Sequence, residues 1–525
     1  MVAGENKGMG EKAAKSVMII MVFTLLSKFL GFIREILIAA RFGSGMETDA
    51  FFIAITACTI LTSIAGAAIK TTLIPVMTEV EENLGKKSQN EFSGWLTLII
   101  IGISFIVSIL GILFAPLIIR ILATGFEGEQ FDLTVRLTRI GYPMVIFLIT
   151  NFVLHAYLNH HEHFFLPAFV GVPFNLVYIL YLLGFYEYGV TGLMVAAVFA
   201  ALLQVLIKIP KVRSLGIGKG SGMKEFRPSI KKVFWLMGPV IIGTMAHHVN
   251  TVVDKTLAST LVEGSVSALN YAAKLNSLFI SVFVLAVITV IFPLLSKETR
   301  KEDKKTTLNI MVGSLNTITI VVVPLTVGAI VLAEPLINLL FERGQFDAVA
   351  TSMTSTAFRF YIIGLIGFSF KDIVSRVFYS MQDTKTPMIL GVVAVTINII
   401  LNFILIGPLA HGGLALATAV SGIVSSLLLI LVLRRRMGSI QGKRIAICLF
   451  KSGVSALVML PPVYFFHRWV SQYPEPGRTG NAIGVFGAIT LGMVIYFLIS
   501  VLLKTEETLL LIRGLKKKIG TRGNL

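Results

Sequence analysis

Apolar runs close to twenty residues long recur along this chain, and they restrict its fold more than any other feature. Residues 96–114, 387–405, 414–433 and 482–503 are examples, each near the roughly 20 residues that a helix needs to cross a bilayer. About fourteen such runs are counted on hydropathy, beginning near residues 16, 49, 93, 134, 164, 189, 233, 266, 308, 351, 387, 412, 445 and 482. Backbone polar groups find no partner in lipid, so these runs are predicted to be helices; the alternating strands of a barrel are nowhere visible. Charged residues make up 14% of the chain, against about a quarter in a soluble domain. The chain therefore reads as an all-α polytopic membrane protein.

Landmarks in the first half return in the second. Ala115-Pro116-Leu117-Ile118 reappears as Glu334-Pro335-Leu336-Ile337, an offset of 219 (335 − 116), and Gln130-Phe131-Asp132 as Gln345-Phe346-Asp347, an offset of 215 (345 − 130). Pro75 matches Pro293, Pro167 matches Pro387, and Gly192-Leu193 matches Gly413-Leu414. Two tandem lobes of six helices follow, 1–228 and 229–436, with two further helices and a basic tail in 437–525. Repeats of this kind are common in transporters.

The net charge of +18 is distributed by loop. Between the lobes lie Lys208, Lys211, Arg213, Lys219, Lys224, Arg227, Lys231 and Lys232 against Glu225 alone, and Lys297, Arg300, Arg434, Arg435, Arg436, Lys443 and Arg444 fall on the same side. The opposite loops are short and acid-leaning, with Glu127, Glu129, Glu187, Glu263, Glu334 and Glu342. This positive-inside asymmetry predicts cytoplasmic termini. Basic tails so placed meet anionic membrane lipids, and nucleic-acid binding is not expected. Cys58 and Cys448 both fall inside runs and form no disulfide framework.

Several charges interrupt the runs, where facing lipid would cost several kcal/mol. In the first run Lys28, Arg34 and Glu35 are predicted to face a cavity or one another; for Arg34 the competing reading is snorkelling to headgroups. Asp49 reads either as a helix-start acid or as a functional group. Lys70 either snorkels or closes the cavity. Ser267, Asn270, Lys274 and Ser277 form a polar stripe at helical spacing. A stripe can join two helices by hydrogen bonds, but a lysine needs a counter-ion or water, which assigns Lys274 to a wet cavity. Asp254 in the seventh run, Asn398 and Asn402 in the eleventh, and Thr418 in the twelfth offer oxygens that suit a hard monovalent cation. The alternative pairs Asp254 with Lys255 or another base.

Two motifs are read as structural. His160-His161-Glu162-His163 lacks the i, i+4 spacing of a helical metal site and is taken as an interfacial turn. Gly216-Ile217-Gly218-Lys219-Gly220-Ser221 lacks phosphate-loop spacing and is taken as a flexible linker. No convergent acids or histidines mark an enzyme. A basic cavity also disfavours a cationic-drug exporter.

Leu26-Ser27-Lys28-Phe29-Leu30-Gly31-Phe32-Ile33-Arg34-Glu35, followed by Gly45-Met46-Glu47-Thr48-Asp49-Ala50-Phe51-Phe52, resembles the opening signature of the MurJ (MviN) lipid II flippases. The likeness continues through Tyr271-Ala272-Ala273-Lys274-Leu275, Pro293-Leu294-Leu295-Ser296-Lys297, Phe341-Glu342-Arg343-Gly344-Gln345-Phe346 and Gln382-Asp383-Thr384-Lys385-Thr386-Pro387. The resemblance implies fourteen helices, alternating access, a tail groove in the last two helices, and a cargo of undecaprenyl-pyrophosphate disaccharide-pentapeptide. A flippase for another undecaprenyl-linked glycan, or an ion-coupled MATE-like exporter, is the alternative. The resemblance carries cargo contact to Lys28, Arg34 with Glu35, Asp49 and Lys274; Asn270 and Lys70 join them on the stripe and cavity readings above. It implies sodium at Asp254, Asn398, Asn402, Thr418 and the backbone of Leu414, and cell-wall synthesis machinery as a partner. The sequence departs from the family pattern in three places. Lysine stands at 28 and 274 where arginine is usual, Asn402 stands where a second carboxylate is known, and Leu61-Thr62 replaces a basic pair. Lysine brings a point charge without the planar fork of arginine.

Overall fold

The computed structural model describes residues 2–218, 220, 222–284, 304–472 and 478–509. Every regular element among them is a helix: α1 (Val2–Phe42), α2 (Met46–Leu113), α3 (Ala115–Leu122), α4 (Gly128–Gly141), α5 (Met144–His160), α6 (Phe165–Phe169), α7 (Gly171–Gly184), α8 (Gly189–Ser214), α9 (Arg227–Ser259), α10 (Ser265–Phe279), α11 (Lys304–Val331), α12 (Ala333–Phe341), α13 (Ala348–Ile363), α14 (Leu365–Ser380), α15 (Lys385–Met437), α16 (Gly442–Ser471) and α17 (Arg478–Leu502), with one-turn 3-10 and π pieces at Tyr186–Tyr188 and Ile280–Val284. The Pro293 landmark and the Pro293–Lys297 motif lie outside the described residues.

Among the described residues, seven helices are long and apolar enough to cross a membrane, or eight if the α4 and α5 pair, bent by 41°, is one span. This is fewer than the fourteen runs, partly because two elements each hold two runs. Gly85 (φ 84°) divides α2 into 46–84 and 86–113, and Ala410 (φ 46°) divides α15. The runs on α9, α13 and α14 do not qualify singly; α13 and α14 are only 16 residues each.

The described residues pack as two compact units, one within 1–267 joined by 344–346, the other within 268–343 and 347–525. In the first, Leu73, Met77, Phe92 and Leu96 of α2 bury against Tyr157 of α5, Val205 of α8 and Val233 of α9. Small residues let these helices approach: Ala197, Ala200 and Ala201 of α8 are fully buried, as helix association in lipid favours. Since α9 packs here, the packing boundary falls near residue 267, whereas the repeat boundary read from sequence falls at 228. In the second unit α15 packs on α13 and α14, and α16 packs on both α11 and α17.

The repeat recurs as backbone geometry. Left-handed residues pair as Gly43 with Gly264, Glu162 with Gln382, Gly189 with Ala410 and Gly216 with Gly438, at offsets of 221 (264 − 43), 220 (382 − 162), 221 (410 − 189) and 222 (438 − 216). Contacts inside the first unit are also exchanged between repeats. Gly125 abuts the end of α9, where a Cβ would lie 2.2 Å from the Ser259 carbonyl oxygen; Gly344 abuts the end of α1, where a Cβ would lie 2.1 Å from that of Ala40. Offsets of 219 (344 − 125 and 259 − 40) make these one contact made twice. Gly125 N–H donates to Ser259 Oγ at 3.2 Å, and Gln345 N–H donates to the Ala40 carbonyl at 3.0 Å. The second of these contacts ties 344–346 to the first unit.

Candidate functional site

The charges of α1 divide between enclosed and exposed. Arg34 Nη2 donates to Glu35 Oε1 at 2.8 Å, with 16% and 4% of the two side chains exposed. The guanidinium lies 4.9 Å from the ring of Tyr178 and 5.9 Å from that of Phe174, both on α7, within cation–π range. Its Nε is buried without a hydrogen-bond partner among the described residues. Neighbour pairing, one of the two expected arrangements, thus holds for Arg34 with Glu35. Snorkelling does not describe Arg34, which is held against the aromatic face of α7. Phe174 and Tyr178 escaped the sequence reading, although their i, i+4 spacing was the available signal. Asn175 fastens α7 to α1, donating from Nδ2 to the Ser27 carbonyl at 3.1 Å. Lys28, six residues before Arg34 on α1, is exposed.

Asp49 is almost wholly buried, and its carboxylate caps α10. Oδ2 accepts from Gly264 N–H at 2.8 Å, and Oδ1 accepts from Ser267 N–H at 2.7 Å and from the Ser267 hydroxyl. The favour is returned: Glu263, just before α10, accepts from Met46 N–H at the start of α2 at 2.6 Å. Each helix lends an acid to the orphan N–H groups of the other. The acid at 49 serves a helix start, as one reading held, but the start of a different helix.

The polar stripe of α10 changes character along its length. Ser267 is fully buried in that cap, Asn270 is half-buried, and Lys274 and Ser277 are exposed. Lys70 on α2 is exposed, with its ammonium 4.8 Å from the ring of Phe152.

The oxygen donors assigned to a cation fall in both units. In the second, Asn402 Nδ2 donates to Asn398 Oδ1 at 3.1 Å, Asn398 Nδ2 to Thr418 Oγ1 at 3.2 Å, and Thr418 Oγ1 to the Leu414 carbonyl at 3.1 Å. Four neutral residues are thus chained together on the two halves of α15. Asp254 belongs to the first unit, where Asn250 Nδ2 donates to its Oδ2 at 3.1 Å.

One sequence assignment is corrected. Lys208, counted among the loop cations, is fully enclosed in α8, with Nζ donating to Asn151 Oδ1 at 2.6 Å and to the Asn151 carbonyl at 3.2 Å. Next to the stretch read as a linker, Asn90 Nδ2 donates to the Leu215 carbonyl at 2.9 Å, and within it the Gly218 carbonyl lies 2.1 Å from where a Cβ on Gly94 would stand. In the histidine turn, His160 pairs with Glu81 at 2.7 Å while His161 bonds the Tyr157 carbonyl at 3.1 Å, so the two rings serve different partners.

The second unit also holds an apolar groove of about 400 Å³. Phe279, Pro324 and Gly328 line one side of it, and Met459, Gly492 and Phe497 of α16 and α17 line the other.

Residues 38–475 match the family described as "Lipid II flippase MurJ". A Rhizobium tropici protein named "Probable lipid II flippase MurJ" is 29% identical over 510 residues, covering 94% of this chain and 95% of that protein. The solved structure titled "Lipid II flippase MurJ, inward closed conformation" superposes with a TM-score of 0.76 at 24% identity, covering 92% of this chain and 98% of that one. An inward-facing multidrug resistance MATE family transporter of the MOP superfamily gives a TM-score of 0.66 at 13% identity, covering 81% and 99%. These two likenesses establish the fold.

Proposed function

Since this chain belongs to the MurJ family of lipid II flippases, we propose that it moves undecaprenyl-pyrophosphate disaccharide-pentapeptide across the bacterial cytoplasmic membrane. The protein is a multi-pass membrane transporter and not an enzyme. The observation that carries the reading is the family match over residues 38–475.

A diphosphate leaving water needs fixed positive groups to replace its hydration. The cations assigned to this role are Lys28, Arg34 and Lys274, and the transport mode is alternating access. At about 4 Å a unit charge pair is worth roughly 4 kcal/mol at an effective dielectric near 20. Glu35 orients Arg34, and the polyprenyl chain would lie in the apolar groove beside α16 and α17. Fourteen spans in two six-helix lobes with two added helices, and termini in the cytoplasm, complete the reading.

Sodium, if bound, would be held by oxygens of Asn398, Asn402, Thr418 and Leu414 with Asp254 as the one carboxylate. The donor types suit the ion, and the charge is lean. Flipping of labelled lipid II in vesicles tests the cargo: loss of transport in Lys274→Ala at normal expression is expected. Normal turnover by that variant, or failure of the chain to complement cells lacking their lipid II flippase, would refute the proposal.

A further inference from the structure

One face of α16 combines cations and bare apolar surface in a pattern that cargo transport does not use. Lys443, Ala446, Ile447, Phe450, Lys451 and Val454 recur at helical spacing on a single stripe. The stripe lines a trough of about 380 Å³ that Leu503, just beyond α17, closes. A polar cavity of about 570 Å³ shares Lys443, Ile447 and Lys451 with that trough and adds Arg444 and Lys504.

The two acids of this cavity are already engaged. Glu506 accepts both guanidinium bonds of Arg444, each at 3.0 Å, and Glu507 accepts from Asn316 Nδ2 at 2.6 Å. Lys451 Nζ donates to the Lys504 carbonyl at 3.1 Å, which draws the ammonium to the end of α17. Lys443 and Lys504 are exposed and have no carboxylate partner among the described residues. Phe450, between the lysines along the stripe, is 73% exposed. A cationic rim above an apolar channel is complementary to a molecule with a phosphate at one end and hydrocarbon at the other.

We propose that this face of α16 is a binding site for a glycerophospholipid with an anionic headgroup. Its phosphate sits among Lys443, Lys451 and Lys504, and one acyl chain follows Ile447, Phe450 and Val454 along the helix. The site is separate from the groove assigned to the polyprenyl chain, which uses Met459 and Gly492 instead.

Native mass spectrometry of the purified full chain, titrated with phosphatidylglycerol or phosphatidylcholine, tests this. Phosphatidylglycerol is expected to bind more tightly than phosphatidylcholine, whose choline offsets its phosphate. Each lysine near a net anionic headgroup contributes about fivefold, so Lys443→Gln/Lys504→Gln should weaken phosphatidylglycerol about 25-fold and phosphatidylcholine by clearly less. Phe450→Ser should weaken both lipids. Equal binding of the two lipids, undiminished phosphatidylglycerol binding by the double variant, or its displacement by millimolar inorganic phosphate would overturn the site. So would loss of binding in the control Arg434→Gln/Arg435→Gln with the α16 lysines intact. Both lysines are exposed, so the variants should fold, and Lys443→Glu alone supplies an independent second reading.

Discussion

Arg34 and Lys274 are both cations on apolar helices, yet their surroundings are opposite. Arg34 is enclosed by a carboxylate and two aromatic rings; Lys274 is exposed on α10, a helix whose first turn is locked by Asp49. The comparison separates two ways to keep charge in a membrane protein. One charge is compensated within the fold and held in a single geometry. The other stands exposed on its helix, and what is fixed is the first turn of that helix.

The sharpest way to break this comparison is Arg34→Ala, which takes the guanidinium away from the buried Glu35. A loss of about 3–5 kcal/mol is expected, seen as a fall in the melting temperature in detergent. Arg34→Ala/Glu35→Ala should recover much of that stability while transport stays low. Recovery of both would make Arg34 purely structural. Next in size is Asp49→Ala, which leaves the Gly264 and Ser267 amides without their acceptor and should destabilise by about 3 kcal/mol; an unchanged melting temperature would show that the cap contributes nothing. Lys274→Ala should lower lipid II flipping by about tenfold or more, equivalent to about 1.4 kcal/mol, with stability within about 0.5 kcal/mol of wild type. Lys274→Arg should retain transport, and a stability loss in Lys274→Ala would erase the distinction from Arg34.

Two smaller effects probe the second unit. Asn402→Asp supplies a second carboxylate, and should make transport or thermal stability respond more steeply to sodium than to potassium; equal responses would remove the ion from the account. The smallest concerns Asp383, in the turn between α14 and α15. Hydrogen bonds from the Thr386 hydroxyl and amide, helped by Arg436, hold its carboxyl down at about 2. A depressed folded-state value stabilises above the unfolded value near 4. The advantage over Asp383→Asn should therefore be complete above about pH 4 and vanish as pH falls toward about 2.

The helical class and the duplication were legible because both rest on periodic, local signals: runs of bilayer length and landmarks at a fixed offset. The neighbouring pair Arg34 and Glu35 was legible for the same reason. Its aromatic wall was not, because Phe174 and Tyr178 reach Arg34 across a helix pair about 140 residues apart in sequence, which only packing reveals. Lys208 was misread because a lysine near the end of an apolar run resembles one in a loop. Its burial depends on Asn151, on another helix. Asp49 looked like the cap of its own helix, since sequence shows an acid near a helix start without showing which start it faces.

The paired approaches of Gly125 to Ser259 and of Gly344 to Ala40 carry a consequence for ancestry. Each repeat presses a glycine loop onto the leading helix of the other, so two unlinked copies of a single repeat could make both contacts on meeting. Such a half-length chain would need a twin to complete its own clasp, and fusion of the two genes would preserve the handshake while making it independent of concentration.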